Sequence, residues 1–217
     1  MFEEARPTRK YDGAQRRQRA EATRAKVVAA ATRMFLEHGY AGATITAIAA
    51  EAGVALQTVY RAAPGKVGLL AAAVRAAVAG GDERARIPVE ERPAIRALID
   101  EQDPHRQLAL YAHTQPGIWA RVGPLLRVLA VAAASEPDLR RLQAEQDRQR
   151  VAGLTRFAEL LQERGALRNG LTPGNAADII VTLGSYATYE SLVLTRGWTD
   201  GHYESWLADT LQRTLLS

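Results

Sequence analysis

The chain has 217 residues, 47% of them apolar, which is enough for a filled core and excludes wholesale disorder. It has no cysteine, ruling out disulfides and thiolate metal sites, and shows neither a secretory leader nor an apolar run of the roughly 18 to 20 residues that span a bilayer; a cytoplasmic protein outside the membrane is expected. The net charge of +4 is uneven, because residues 1–86 hold 14 Lys+Arg against 8 Asp+Glu and residues 87–217 hold 14 against 16.

Long Ala/Leu/Arg/Glu stretches favour helix and strand formers are scattered, so the fold class is all-α. Residues 1–18 are polar, contain Pro7 and Gly13, and read as a flexible basic arm. Together with the start of the next element the arm presents Arg6, Arg9, Lys10, Arg16, Arg17, Arg19, Arg24 and Lys26, a composition suited to a polyanion. From about Glu21 to Glu37, Val27, Val28, Ala31, Met34 and Phe35 recur on one helical face, and Gly39 closes that helix. Thr44 is placed to cap a second, short helix carrying Ile45, Ile48, Ala49 and Ala52. Gly53-Val54-Ala55 interrupts, a third helix spans about Leu56 to Ala62, and Pro64-Gly65 stops it. A fourth runs from Lys66 to about Ala79 and ends at Gly80-Gly81.

Beyond a polar joint at 82–87, Pro88 or Pro93 opens a helix reaching about Ile99. Asp103-Pro104 starts another, predicted to break near Gln115-Pro116-Gly117 and again near Gly123-Pro124 before it continues to Ala134. Glu136-Pro137 begins a long helix to about Arg164, closed by Gly165. Thr172-Pro173 opens a helix to about Thr195, ended by Gly197, and Thr199-Asp200 caps the last one.

Two short helices joined by a tight glycine turn, with a third helix behind, have the geometry of a helix-turn-helix. Ala49 is small where the helices cross, Gly53 supplies a positive φ, and Ile45, Ile48 and Val59 fill a small core against Phe35. Residues 24–70 resemble the N-terminal domain of the TetR family of transcriptional regulators. The matching positions are Ala30-Ala31, Phe35, Gly39-Tyr40, Thr44, Ile48-Ala49, Ala52-Gly53-Val54, Tyr60, Lys66 and Leu69-Leu70. The C-terminal Arg196-Gly197-Trp198 and terminal amphipathic helix look like that family too.

The resemblance implies a DNA-binding domain at 19–81 and a larger helical ligand-sensing and dimerisation domain at 82–217. It implies that Tyr60 and Lys66 contact the DNA backbone, roles that suit a phenol and an ammonium facing phosphate oxygens. Thr44, at a helix N-terminus, suits a phosphate. On the exposed face of the third helix, Gln57 can pair with adenine, Ala55 or Leu56 can meet a thymine methyl, and Thr58 and Arg61 lie alongside. Two positions depart from the family: Ala55 stands where Ser usually caps the third helix, and Ala63 where an aromatic packs the third helix on the fourth. Leu69 and Val59 are the expected replacements in that packing.

The resemblance further implies a homodimer on a palindromic operator, joined through the last two helices. Ala177, Ile180, Gly184 and Ala187 are the small and apolar positions of the first, and Tyr203, Trp206, Leu207 and Leu211 form the stripe of the second. Between residues 87 and 170 it implies a pocket for a small hydrophobic effector, for which Tyr111, His113, Gln115, Trp119 and Phe157, with Leu125 and Leu126, are the candidate lining. No cofactor, metal site or catalytic apparatus is expected: the four histidines are scattered and there is no G-x-S-x-G. A helical protein-binding bundle without DNA binding is the alternative; it accounts for the amphipathic helices but not for the glycine turn, Tyr60, Lys66 and basic arm arriving together.

Overall fold

The structure, a computed structural model, describes residues 9–217, with side chains from Gly13 onward. Arm residues 1–8, including Arg6, and the side chains of Arg9 and Lys10 lie outside it. Helix α1 (Arg9–Gly42) starts well before Glu21, so residues 9–18 are helical instead of forming an arm. The run Ala14 to Glu21 is made almost wholly of strong helix formers, whose summed propensity outweighs the lack of an apolar period. Gly39 leaves the helical region at φ 67°, where the chain turns toward α2 (Ile45–Ala52), α3 (Leu56–Ala62) and α4 (Gly65–Ala79).

In α4, Leu69 through Val74 and Ala76 are all buried. Consecutive buried positions cannot share one helical face, so α4 is covered on several sides, by α1 on one and α7 on another. The joint expected at 82–87 contains a short helix, α5 (Asp82–Ala85), followed by a 3₁₀ turn at Val89–Glu91 and α6 (Pro93–Asp100).

Helix α7 (Pro104–Ala133) is continuous for 30 residues and passes through both Pro116 and Pro124, contrary to the two expected breaks. An internal proline removes a ladder bond and costs about 3 kcal/mol. Leu108, Tyr111, Trp119, Val122, Leu125 and Leu129 are all buried along the same helix, and each large apolar side chain returns about 1.5–3 kcal/mol. Packing therefore outweighs the prolines. By length and composition α7 also qualifies as a membrane span, which the sequence reading did not anticipate. Its contacts with α1, α4, α6, α8, α10 and α11 make it the central core helix.

The long α8 (Pro137–Glu163) packs against α9 (Pro173–Leu183). The helix expected to run from 172 to 195 is divided. It stops at Gly184, and Ser185 caps a new start, α10 (Tyr186–Tyr189), its hydroxyl accepting from Thr188 N at 3.1 Å. The chain then winds more loosely as a π-helix over Glu190–Thr195 before α11 (Asp200–Leu215), capped by Thr199. Gly184 is needed at the division: a Cβ there would lie 2.6 Å from the Tyr111 hydroxyl. A single isolated bridge, Leu167 to Leu216, is the only strand pairing among the described residues. One apolar core extends without a break from Val27 to Leu216.

Candidate nucleic-acid interface and sensor interior

The helix-turn-helix forms as its residue types dictate. Thr44 has extended backbone and its Oγ1 accepts from Ala47 N at 3.1 Å, the bond that starts α2. Gly53 closes α2 at φ 64°, ψ 39°, a left-handed conformation that a side chain would strain. Phe35, Ile48 and Val59 are fully buried, Ile45 packs against them from a half-buried position, and Leu69 lies beneath. Ala63 is buried within this same cluster, so its small side chain is accommodated.

The opposite face of α3 is bare. Leu56 is 44% and Tyr60 49% exposed, Gln57 and Arg61 are exposed beside them, and Thr58 is half-buried at the edge. None of Gln57, Tyr60 and Arg61 has a hydrogen-bond or ion-pair partner among the described residues. Ala55 caps α3 without a side-chain bond, as its residue type requires. The α3–α4 break bends the chain by 57°.

Two cations of the expected anion-binding set already have partners within the protein. Arg24 donates to the carbonyl of Ala62 at the C-terminus of α3 and pairs with Asp82 at 3.4 Å. There it satisfies a helix end and faces the negative pole of the α3 dipole. Asp82 is also approached by Arg86 at 3.9 Å, and Arg86 reaches back to Glu21 at 3.3 Å, so α1, α3 and α5 are joined by charge. Lys66 lies 4.4 Å from the centre of the Tyr40 ring and donates to Ala41 O at 3.1 Å. Partial desolvation holds its pKa below the usual lysine value, with the Glu136 charge opposing that shift. Its ammonium therefore stands at the edge of the α1–α2 turn, beside rather than on the α3 face.

In the C-terminal region the structure gathers four of the five expected lining residues. Tyr111 stacks on Phe157 with ring centres 5.7 Å apart, Gln115 Nε2 donates to Tyr111 O at 3.3 Å, and Trp119 is buried one turn further along α7. His113 is not with them. It points outward and pairs with Glu204 at 3.0 Å, because positions 111, 115 and 119 share a face of α7 that 113 does not. Leu125 is in the core, while Leu126 lines an adjacent cavity of about 280 Å³ between α7, α8 and α10.

Three residues of this interior were not anticipated as such. Arg150 of α8 lies over the Trp119 ring at 5.2 Å and donates to Val181 O and Gly184 O, satisfying the end of α9. Its neighbours in sequence are polar and carry no cue of that role. Tyr186 fits over Gly123, meets Trp119 at 5.9 Å, and donates to Glu190. Tyr203 is buried beside Trp119 and Tyr189, and burial drives its pKa far up.

Tyr203 belongs to the stripe expected to join two protomers, and most of that stripe is inside one. Ala177, Ile180, Gly184, Tyr203, Leu207 and Leu211 are all buried in the protomer's own core, so these side chains do not form an available surface. Of the eight, Ala187 is exposed and Trp206 half-buried. An apolar stripe has the same period whether it faces its own core or a partner, which is why the pattern did not separate the two. Among the described residues no three His, Asp or Glu side chains gather to hold a metal ion.

Residues 27–73 match the family described as bacterial regulatory proteins, tetR family. No curated protein matches the sequence. Solved structures match over nearly the whole length. NalD, the secondary repressor of the MexAB-OprM multidrug efflux pump in Pseudomonas aeruginosa, is 22% identical with a TM-score of 0.64, covering 90% of this chain and 97% of its own. SmeT in complex with triclosan is 21% identical at a TM-score of 0.68, covering 90% and 92%. The fatty acid degradation regulator FadR from Bacillus halodurans is 16% identical at 0.67, covering 88% and 94%. These likenesses extend the shared fold from the N-terminal segment to the entire helical body.

Proposed function

Taking residues 27–73 as a regulatory DNA-binding domain of the tetR type, we propose that the protein is a transcriptional repressor. In this reading it acts as a homodimer on a palindromic operator and lets go when a small molecule enters the helical body. The observation that carries the reading is the bare outer face of α3, with Leu56, Gln57, Tyr60 and Arg61 unpartnered above a fully packed core. Exposed side chains of this mixture, held on a rigid helix at a helix-turn-helix angle, suit the major groove. Thr44, whose oxygen is used within α2, keeps its O–H for a phosphate, and Ala55 leaves the start of α3 open to close approach.

One such domain reads few base pairs, so a two-fold pair of them is the expected working form. With the stripe of α9 and α11 buried, the contact between protomers falls to the outward parts of α9 to α11, where Ala187, half-buried Trp206 and Leu194, 53% exposed, face outward. The neighbours named above include a repressor and a complex with a small molecule, which supports a ligand-released mode. We place the protein in the cytoplasm, without catalytic activity.

Selection of bound fragments from a random DNA library tests this. The expected product is an inverted repeat, bound with an affinity that falls steeply with salt as Lys and Arg displace phosphate counterions. Failure to bind any duplex at low salt would leave the helical protein-binding bundle as the reading.

A further inference from the structure

At the centre of the helical body two buried donors, an indole and a phenol, lack a strong acceptor. Trp119 Nε1 and Tyr203 Oη are both buried and neither makes a well-formed hydrogen bond, the two groups meeting only in a weak contact with each other. Trp119 is 5% exposed and Tyr203 not at all. Arg150 adds a guanidinium over the indole ring. Its bonds go to neutral oxygens, the carbonyls of Val181 and Gly184 and the Tyr111 hydroxyl, and it pairs with no carboxylate among the described residues. An indole and a guanidinium offer no acceptor at all.

A cavity of about 280 Å³ lies one side chain away, since Tyr186 both lines it and touches Trp119. Leu126, Leu129 and Ala130 line it with apolar surface, while its acidic groups are Glu190, held by Arg127 and Tyr186, and Asp147. Buried donors without strong acceptors carry a partly uncompensated desolvation cost, which an incoming acceptor removes.

We propose that the effector is a small organic acid, whose carboxylate is taken by Arg150, Trp119 Nε1 and Tyr203 Oη while its apolar part occupies the cavity beside Tyr186. This rests on the ligand-released reading above and narrows it from a hydrophobic molecule to an anionic one. Movement of Tyr186 off Gly123 opens the way between cavity and donors.

Calorimetric titration of the full chain with benzoate, phenylacetate and octanoate, against benzamide and choline, tests the class. The acids are expected to bind and benzamide and choline to bind at least tenfold more weakly. The indole N–H resonance of Trp119, assigned by its loss in Trp119→Phe, shifts with the acids. Tyr203→Phe provides a sign test: removing a poorly bonded hydroxyl leaves the ligand-free protein as stable or more so, while acid affinity falls about tenfold. Arg150→Lys, which keeps the charge but not the fork, weakens the acids in the same manner. Binding of benzamide or choline in preference to the acids overturns the proposal and leaves a sensor of another class. Operator binding that persists while no probe of any class binds overturns the acid proposal and removes support from ligand release, but not from DNA recognition.

Discussion

Arg121 on α7 donates its Nε–H to the carbonyl of Ala77 on α4 at 3.0 Å, three residues before α4 ends at Gly80. Two positions earlier on the same helix, Trp119 is buried in the body's donor cluster. One rigid helix thus touches both the sensor interior and the last turn of the helix that leads back to the DNA-binding face. If the proposed ligand-released reading holds, a ligand that shifts α7 would move α4 through this contact, provided it binds one arrangement of the two helices better than the other.

Arg121→Ala is expected to cost about 1 kcal/mol, the net worth of one partly solvated charged hydrogen bond. That lowers the melting temperature by about 2–4 °C for a chain of this size. Operator affinity is expected to fall by about fivefold as well, the equivalent of that free energy. A melting shift with unchanged operator binding in a gel-shift titration would reduce the contact to a structural one.

Gly123, like Gly184, is a position where the body tolerates no side chain. A Cβ at Gly123 would lie 2.1 Å from the Tyr186 ring. Gly123→Ala is expected to destabilise by about 1–3 kcal/mol through overpacking. Tyr186→Leu in the same chain should restore much of it by removing the opposing ring. Denaturant melts of the single and double variants measure the coupling, and additive losses would show that Tyr186 is not the obstacle.

On the outer face of α3, Tyr60→Phe and Gln57→Ala separate two kinds of contact. Loss of the Tyr60 hydroxyl is expected to weaken binding to all sequences alike, by about 1 kcal/mol or roughly fivefold. Loss of Gln57 should relax preference at a single position in each half-site, since bidentate base contacts discriminate by about 1–3 kcal/mol. Neither should alter stability, because neither side chain touches the core.

Alkaline pH should unfold the protein early. Tyr111, Tyr186, Tyr189, Tyr203 and Tyr40 all have pKa values raised by burial above the ordinary 10.0. In the folded state they stay protonated where the unfolded chain has ionised, so the unfolded state binds fewer protons above pH 10 and stability falls with rising pH. The protection is intact below the unfolded value and is lost from about pH 10 upward. Tyr203→Phe should flatten this fall in urea melts between pH 9 and 11; an unchanged slope would show that Tyr203 does not titrate in the unfolding transition.

The DNA-binding half was legible because its signals are local. Thr44 at a cap and Gly53 at a positive φ are fixed by neighbours a few residues away, and the Phe35–Ile48–Val59 core closes within a span of 25 residues. The body was less so because its decisive terms are distant. Pro116 and Pro124 read as breaks until the burial of α7 on several sides is counted. The division at Gly184–Ser185 depends on the Tyr111 hydroxyl, more than 70 residues earlier in the chain. Arg24 reads as part of a polyanion-binding arm and Arg150 carries no signal in the sequence, and only the folded chain brings each to a helix end. The stripe of Tyr203, Leu207 and Leu211 was read correctly as apolar and helical, but its partner was the protomer itself.

Because α4 is enclosed by α1 and α7, no solvated hinge separates the helix-turn-helix from the rest of the helical body. Cutting the chain after Gly81 would bare a greasy flank along Leu69 to Ala76, and such a fragment would clump instead of standing alone as a portable reader. In a scanning calorimeter the intact chain should accordingly absorb heat in one peak.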